Sequence, residues 1–220
     1  SGKHSLFSGG VWVGGLDATN NLHVAAQTYR QNGLDYWPGP LDSMSPSYNQ
    51  LWKLTRQEVI DFIGGAPATN AIMTWPGNNS TNQPLAPYHD TNGDGVYNYN
   101  DGDYPDFGLV GSPNCCDILH GDQVIWWVIN GACTTHTETG GLALGLVMRF
   151  QAFAYATGDQ DINNTSFYQY TLINGSSNTY HSTYFGIYAD ADLGYFLDDY
   201  IGCDVPRGLG YCYNGDANYD

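Results

Sequence analysis

Residues 144–156 read L-G-L-V-M-R-F-Q-A-F-A-Y-A, and their alternation decides the fold class. Leu144, Leu146, Met148, Phe150, Ala152 and Ala154 fall on one side of an extended chain, and Arg149, Gln151 and Tyr155 on the other. A period of two is the mark of a β-strand, because successive side chains point to opposite faces of a sheet. Upstream, residues 122–130 (D-Q-V-I-W-W-V-I-N) are apolar at both parities, which predicts a central strand. Downstream, the polar stretch 158–164 leads into a strand over 165–174. The turn N-G-S-S-N at 174–178 then leads into another over 180–188. Three consecutive antiparallel strands of this kind predict the core of a sandwich.

The same reasoning extends toward the N-terminus. Residues 6–15, glycine-studded around Val11, Trp12 and Val13, and residues 22–29 flank the turn D-A-T-N-N and read as a hairpin. A Gly/Pro-rich loop covers 31–47, and a short strand is expected over 49–54. T-R-Q-E at 55–58 is a capping box, in which Thr55 caps the first turn and Glu58 reaches back. A short helix over 56–63 follows, stopped by Gly64 and Gly65. Residues 66–87 are irregular. With no internal repeat and no linker, the expectation is a single domain over 1–220. It is all-β, an antiparallel sandwich or jelly-roll-like fold with long loops and one short helix.

Within the loops, residues 90–101 (D-T-N-G-D-G-V-Y-N-Y-N-D) carry oxygens at positions 1, 3, 5, 9 and 12 and a glycine at position 6. That is the spacing of an EF-hand calcium loop, since a hard cation taking six to eight oxygens needs several folded inward from a short segment. Asp90, Asn92 and Asp94 supply side-chain oxygens, Val96 its carbonyl, Asn98 an oxygen direct or through water, and Asp101 the closing carboxylate. Gly102 and Pro105 forbid the exiting helix, so the loop lacks EF-hand flanks. Asp103 and Asp106 are either further ligands or solvated side chains. A second acidic cluster, Asp190, Asp192, Asp198, Asp199 and Asp204, is a candidate second calcium site. Its like charges repel without a cation.

The chain has 22 acidic and 6 basic residues, a formal net charge of −16. Such a surface repels phosphate backbones and anionic lipid, which disfavours nucleic acid and membrane surfaces as partners. No run approaches the roughly 20 apolar residues of a membrane helix, so no membrane insertion is expected. Much Tyr, Asn, Gly and Asp with few Lys suits a secreted β protein whose charge is partly offset by bound cations. Ser1, Gly2 and Lys3 do not read as a native start, so a mature or trimmed fragment is expected. None of the five cysteines forms a CxxC pair. Cys203 and Cys212 flank the turn-rich D-V-P-R-G-L-G-Y and are the preferred disulfide. Cys133 pairs with Cys116 or Cys115, leaving an odd thiol, and a vicinal Cys115–Cys116 bond is a further alternative.

Candidate chemistry beyond ion binding is sparse. His120, Asp122, His136 and Glu138 could meet as a metal or acid–base site, although a histidine near a strand end is more often a structural hydrogen-bonding residue. Trp12, Trp37, Trp52 and Trp75 could form a sugar-stacking platform, although such residues more often pack loops and core. No nucleophile elbow, phosphate loop or dinucleotide fingerprint is present, and no catalytic residue is assigned. Asn79 and Asn164 begin N-x-S/T patterns that read as polar turns, and Asp42, Ser43 and Met44 match a short bacterial O-glycosylation pattern.

Several motifs occur together: F-S-G-G-V-W-V-G-G-L-D, A-A-Q-T-Y-R, W-P-G-P-L, the 90–105 loop, G-D-Q-V-I-W-W-V-I-N, H-T-E-T-G-G and D-A-D-L-G-Y-F-L-D-D-Y-I-G-C-D. In this order, over nearly the whole chain, they resemble large secreted proteins of Bacteroidota exported by the type IX secretion system. The resemblance implies an extracellular or cell-surface location and brings no reaction. The expected function is a calcium-stabilised structural, adhesion or assembly module, not itself an enzyme. Its expected partners are copies of itself, other surface proteins or glycans. The alternative is a carbohydrate-binding or carbohydrate-degrading secreted protein.

Overall fold

The structure, a computed structural model, describes residues 5–28, 30, 32–41, 46–109, 117–132 and 135–215. Strands β1 (Leu6–Leu16), β2 (Leu22–Ala25), β3 (Trp37–Pro38) and β4 (Trp52–Thr55) lead into helix α1 (Arg56–Ile63) and the single turn α2 (Asn70–Met73). Next come β5 (Tyr88–His89), β6 (Tyr104–Pro105), β7 (Gln123–Asn130), β8 (Leu146–Ala154) and the short α3 (Gln160–Asn163). The chain closes with β9 (Phe167–Asn174), β10 (His181–Ala191), β11 (Asp199–Asp204) and β12 (Leu209–Asn214). The all-β, antiparallel class is the one found, with three short α-helices among the described residues where one was expected. Among the described residues no helix is long and apolar enough to cross a membrane.

The chain forms two compact units. The first comprises Ser1–Tyr36, Cys133–Leu144 and Ser177–Asp220; the second comprises Trp37–Ala132 and Gly145–Ser176. The chain therefore passes between them four times, at 36/37, 132/133, 144/145 and 176/177.

In the second unit β7 is central, as its two apolar faces predict. It pairs with β3 and β4 along one edge and with β8 along the other, and β9 pairs with β8. Val124, Trp126 and Val128 point to one face and pack with Val59 of α1, Ile72 of α2, Trp75, Leu85, Tyr104, Phe107 and Leu119 in one apolar cluster. The β8 residues opposite Trp126 and Val128 are Gln151 and Arg149. The parity read as polar therefore lies on the same side of the sheet as this cluster. Gln151 is buried; its Oε1 accepts from the His120 N–H (3.0 Å) and its Nε2 donates to Ile118 O (3.1 Å). Arg149 Nη1 donates to Leu85 O at 2.8 Å. These polar side chains satisfy the backbone of loops crossing the sheet, where burial without a partner would cost about 1–3 kcal/mol per group.

Helix α1 begins and ends as its sequence predicts. Thr55 Oγ1 accepts from the Glu58 N–H (3.1 Å), Glu58 Oε2 accepts from the Thr55 N–H (2.6 Å), and Gly65 turns away at φ 99°.

In the first unit β1 is the middle strand of a three-stranded sheet, order β10-β1-β2. The β1–β2 hairpin is as expected, but the strand predicted beside 165–174 is not there. β10 instead pairs with β1, from Leu6 opposite Ala191 to Leu16 opposite His181. Alternation encodes the face a residue takes and not the strand lying beside it. β11 and β12 form a separate hairpin around a 3-10 turn, capped where Asp204 accepts from the Arg207 N–H. Its register sets Cys203 opposite Gly210 and Cys212 opposite Ile201. The structure forms no bond between them, where a Cys203–Cys212 disulfide was expected: the two sit diagonally across the ladder, not face to face. Cys115, Cys116 and Cys133, and the Asp42, Ser43 and Met44 pattern, lie outside the described residues.

Candidate calcium loop

The two-residue strands β5 and β6 pair, Tyr88 opposite Pro105 and His89 opposite Tyr104, and the His89 and Tyr104 rings stack at 4.7 Å. This short ladder holds together the two ends of the segment 90–103, where an EF-hand would use two helices. Within the loop the Asp90 carboxylate accepts from two amides, Oδ1 from Gly93 and Oδ2 from Gly95, both at 2.7 Å. Gly93 and Gly95 adopt φ 77° and 80°, a region open to glycine without a Cβ clash. Asn92 Oδ1 accepts from the Asp94 N–H (3.0 Å), and Asp94 Oδ1 from the Val96 N–H (2.8 Å). Asn98 Oδ1 accepts from the Asn100 N–H (3.1 Å) and caps the 3-10 turn Tyr99–Asp101, while its Nδ2 donates to Asp101 Oδ2 (2.7 Å). Side chains at positions 1, 3 and 5 thus curl the backbone around themselves.

The donor set suits calcium. It consists of oxygens only, three of them from carboxylates, and a carboxylate oxygen holding one amide keeps a lone pair for a cation. The six basic residues are Lys3, Arg30, Lys53, Arg56, Arg149 and Arg207, so none falls between Arg56 and Arg149 in sequence. The ion pairs among the described residues involve Asp17, Asp117, Asp122 and Asp204, and none reaches Asp90, Asp94 or Asp101. Among the described residues, no three Asp, Glu, His or Cys side chains already stand as a closed cage. The loop carboxylates are instead turned onto amides.

Asp103 and Asp106, expected to be further ligands or solvated, are buried and not solvated. Asp103 is fully buried and accepts from the Thr91 N–H (2.8 Å) and the Asn98 N–H (2.9 Å). Asp106 is buried and accepts from the Gly108 N–H (2.7 Å). Asn78, which nothing in the sequence singled out, braces the loop from outside. Its Oδ1 accepts from the Tyr97 N–H (2.6 Å) and its Nδ2 donates to Gly95 O (2.9 Å). For Asp103 the legible signal was an acid directly after a glycine at the loop's end. For Asn78 no signal existed.

The other candidates make the following contacts. His120 packs its ring on Phe153, and Asp122 accepts from the Ala156 N–H and pairs with Arg56 at 3.8 Å, all in the second unit. His136 and Glu138 belong to the first unit, so the four form no single cluster within either. The His136 ring nitrogen Nδ1 bonds Val24 O (2.6 Å). Glu138 Oε2 accepts from the Asn32 and Gly33 amides, both at 2.7 Å, and its own N–H donates to Asp35, which is fully buried. Trp52 and Trp75 are buried on either side of Trp126, with ring centroids at 5.8 and 5.7 Å. The four-tryptophan platform is thus reduced: Trp12 stays exposed, its Nε1 donating to Gln27 O, beside an apolar groove that Tyr184 also lines.

Among the described residues the second acidic cluster likewise forms no closed cage. Asp190 accepts from the Tyr188 hydroxyl (3.2 Å) and Asp199 Oδ2 from the Leu193 N–H (3.0 Å). Asp192 donates its N–H to Ser5 O, and one oxygen each of Asp198, Asp199 and Asn214 is buried without a donor. The chain matches no protein-family model, no curated protein and no solved structure.

Proposed function

We propose that the chain is a calcium-stabilised extracellular or cell-surface module with a structural, adhesive or assembly role. What carries the reading is the loop 90–101. Among the described residues no ion pair reaches the three carboxylates of this curled segment, and the loop ends are tied by the β5–β6 ladder. A divalent cation relieves that repulsion and takes the lone pairs left over. The sequence resemblance and the acidic, lysine-poor composition support the compartment. The assembly part is supported by β10, an edge strand among the described residues, with Tyr184 and Ile187 largely exposed along it.

Melting the protein in calcium and in chelator tests the reading. Calcium at about 100 times its dissociation constant adds roughly 2.7 kcal/mol to the folded state, so chelator should lower the Tm. Asp94→Ala should remove most of that difference. Identical melts in the two conditions, with no heat of calcium binding, would sink it.

A further inference from the structure

We infer that Asp103 pre-forms the calcium loop, as a positioning carboxylate that holds both arms in the ion-ready curl without being a ligand. The inference rests on the calcium reading of the loop. Asp103 lies two residues beyond the last predicted ligand, Asp101. Gly102 between them takes φ 92°, a left-handed conformation that a side chain would oppose. That turn sends Asp101 to the loop and Asp103 into the protein, where it has no exposed surface. Its two oxygens then go to opposite arms: Oδ1 accepts from the N–H of Thr91, loop position 2, and Oδ2 from the N–H of Asn98, position 9. The Thr91 hydroxyl closes the same corner by donating to Gly102 O at 2.8 Å.

A buried carboxylate is tolerated only when it is hydrogen-bonded, and bonds from amides to a charged acceptor are the stronger kind. Asp103 therefore has reason to keep both amides whether or not an ion is present. The predicted ligands sit on the residues either side of those amides: Asp90 and Asn92 flank Thr91, and Asn98 is itself one. Fixing positions 2 and 9 removes much of the ordering that ion binding would otherwise require. It also opposes the spreading that Asp90, Asp94 and Asp101 favour by mutual repulsion. Groups that hold ligands from behind typically change metal affinity by roughly 10–100-fold when removed.

The test compares wild-type protein with Asp103→Asn. The amide matches the carboxylate in size but sets an NH2 against one of the two backbone N–H groups. Calcium is titrated by calorimetry, and terbium by luminescence sensitised through Tyr97 and Tyr99. The expected result is one calcium site in both proteins, with affinity about 10–100-fold weaker in the variant and unchanged circular dichroism in saturating calcium. A folded variant with a Kd within about twofold of wild type overturns the inference, even if its chelated form melts earlier, because that is the signature of a purely structural acid. If the variant does not fold, amide exchange of the wild type decides. Protection of the Thr91 and Asn98 amides in chelator as in calcium supports a pre-formed loop, and unprotected exchange in chelator overturns it. Absence of calcium binding by the wild type overturns the calcium reading itself, a distinct outcome that removes this inference with it.

Discussion

Tyr36 shows how single residues set the chemical limits of this fold. It is buried, and its hydroxyl points to two carbonyls, Val11 O (3.0 Å) and Ala25 O (2.9 Å), which only a protonated phenol can satisfy. Burial pushes its ionisation well above the ordinary tyrosine value, and the neighbouring Asp35 carboxylate pushes the same way. Tyr97, donating to Ile72 O, is raised for the same first reason, with Asp103 adding to it. The folded state thus holds protons that the unfolded chain releases near pH 10. The stabilisation is complete below about pH 10 and is lost as pH rises through the folded value. Urea melts between about pH 8 and pH 11 should show stability falling with pH, and Tyr36→Phe should flatten that slope. The same substitution should cost about 1 kcal/mol at neutral pH for the lost hydrogen bonding.

At the scale of elements, α1 has eight residues, below the length at which helices persist alone, and depends on its cap and its tertiary contacts. Thr55 is both the last residue of β4 and the N-cap, so one side chain fixes the corner between strand and helix. Thr55→Ala should lower stability by about 1 kcal/mol, measured by denaturant midpoint at unchanged m-value. This helix was legible to the residue, because caps are local and written in four consecutive letters. β7 and β8 were legible through periodicity. The partner of β10 was not, because pairing across the chain leaves no local trace. The single turns α2 and α3, four residues each, carry no period long enough to read. Arg149 and Gln151 were placed on the correct parity, but that they face the apolar cluster and bond the backbone of crossing loops was not legible. In the loop, the oxygen spacing was legible. That Asp103 faces inward was not, since the conformation of Gly102 decides it.

At the scale of the molecule, a net charge of −16 over 220 residues opposes compaction. In chelator, where no bound cation offsets that charge, raising NaCl from about 0.01 to 0.5 M should raise the Tm and then level off as the screening length shrinks below the spacing of surface charges. A flat response would mean the acids are already well separated. The pairing of β1 with β10 has a consequence in time. Leu6 meets Ala191, so β1 is synthesised long before the strand it pairs with. At roughly 5–20 residues per second, β1 waits on the order of ten to thirty seconds on the ribosome with β2 as its paired strand. During that wait Val11 and Val13, buried in the finished fold, lie along an open edge. The nascent chain between the synthesis of β1 and that of β10, more than the finished protein, is where a holding factor has work to do.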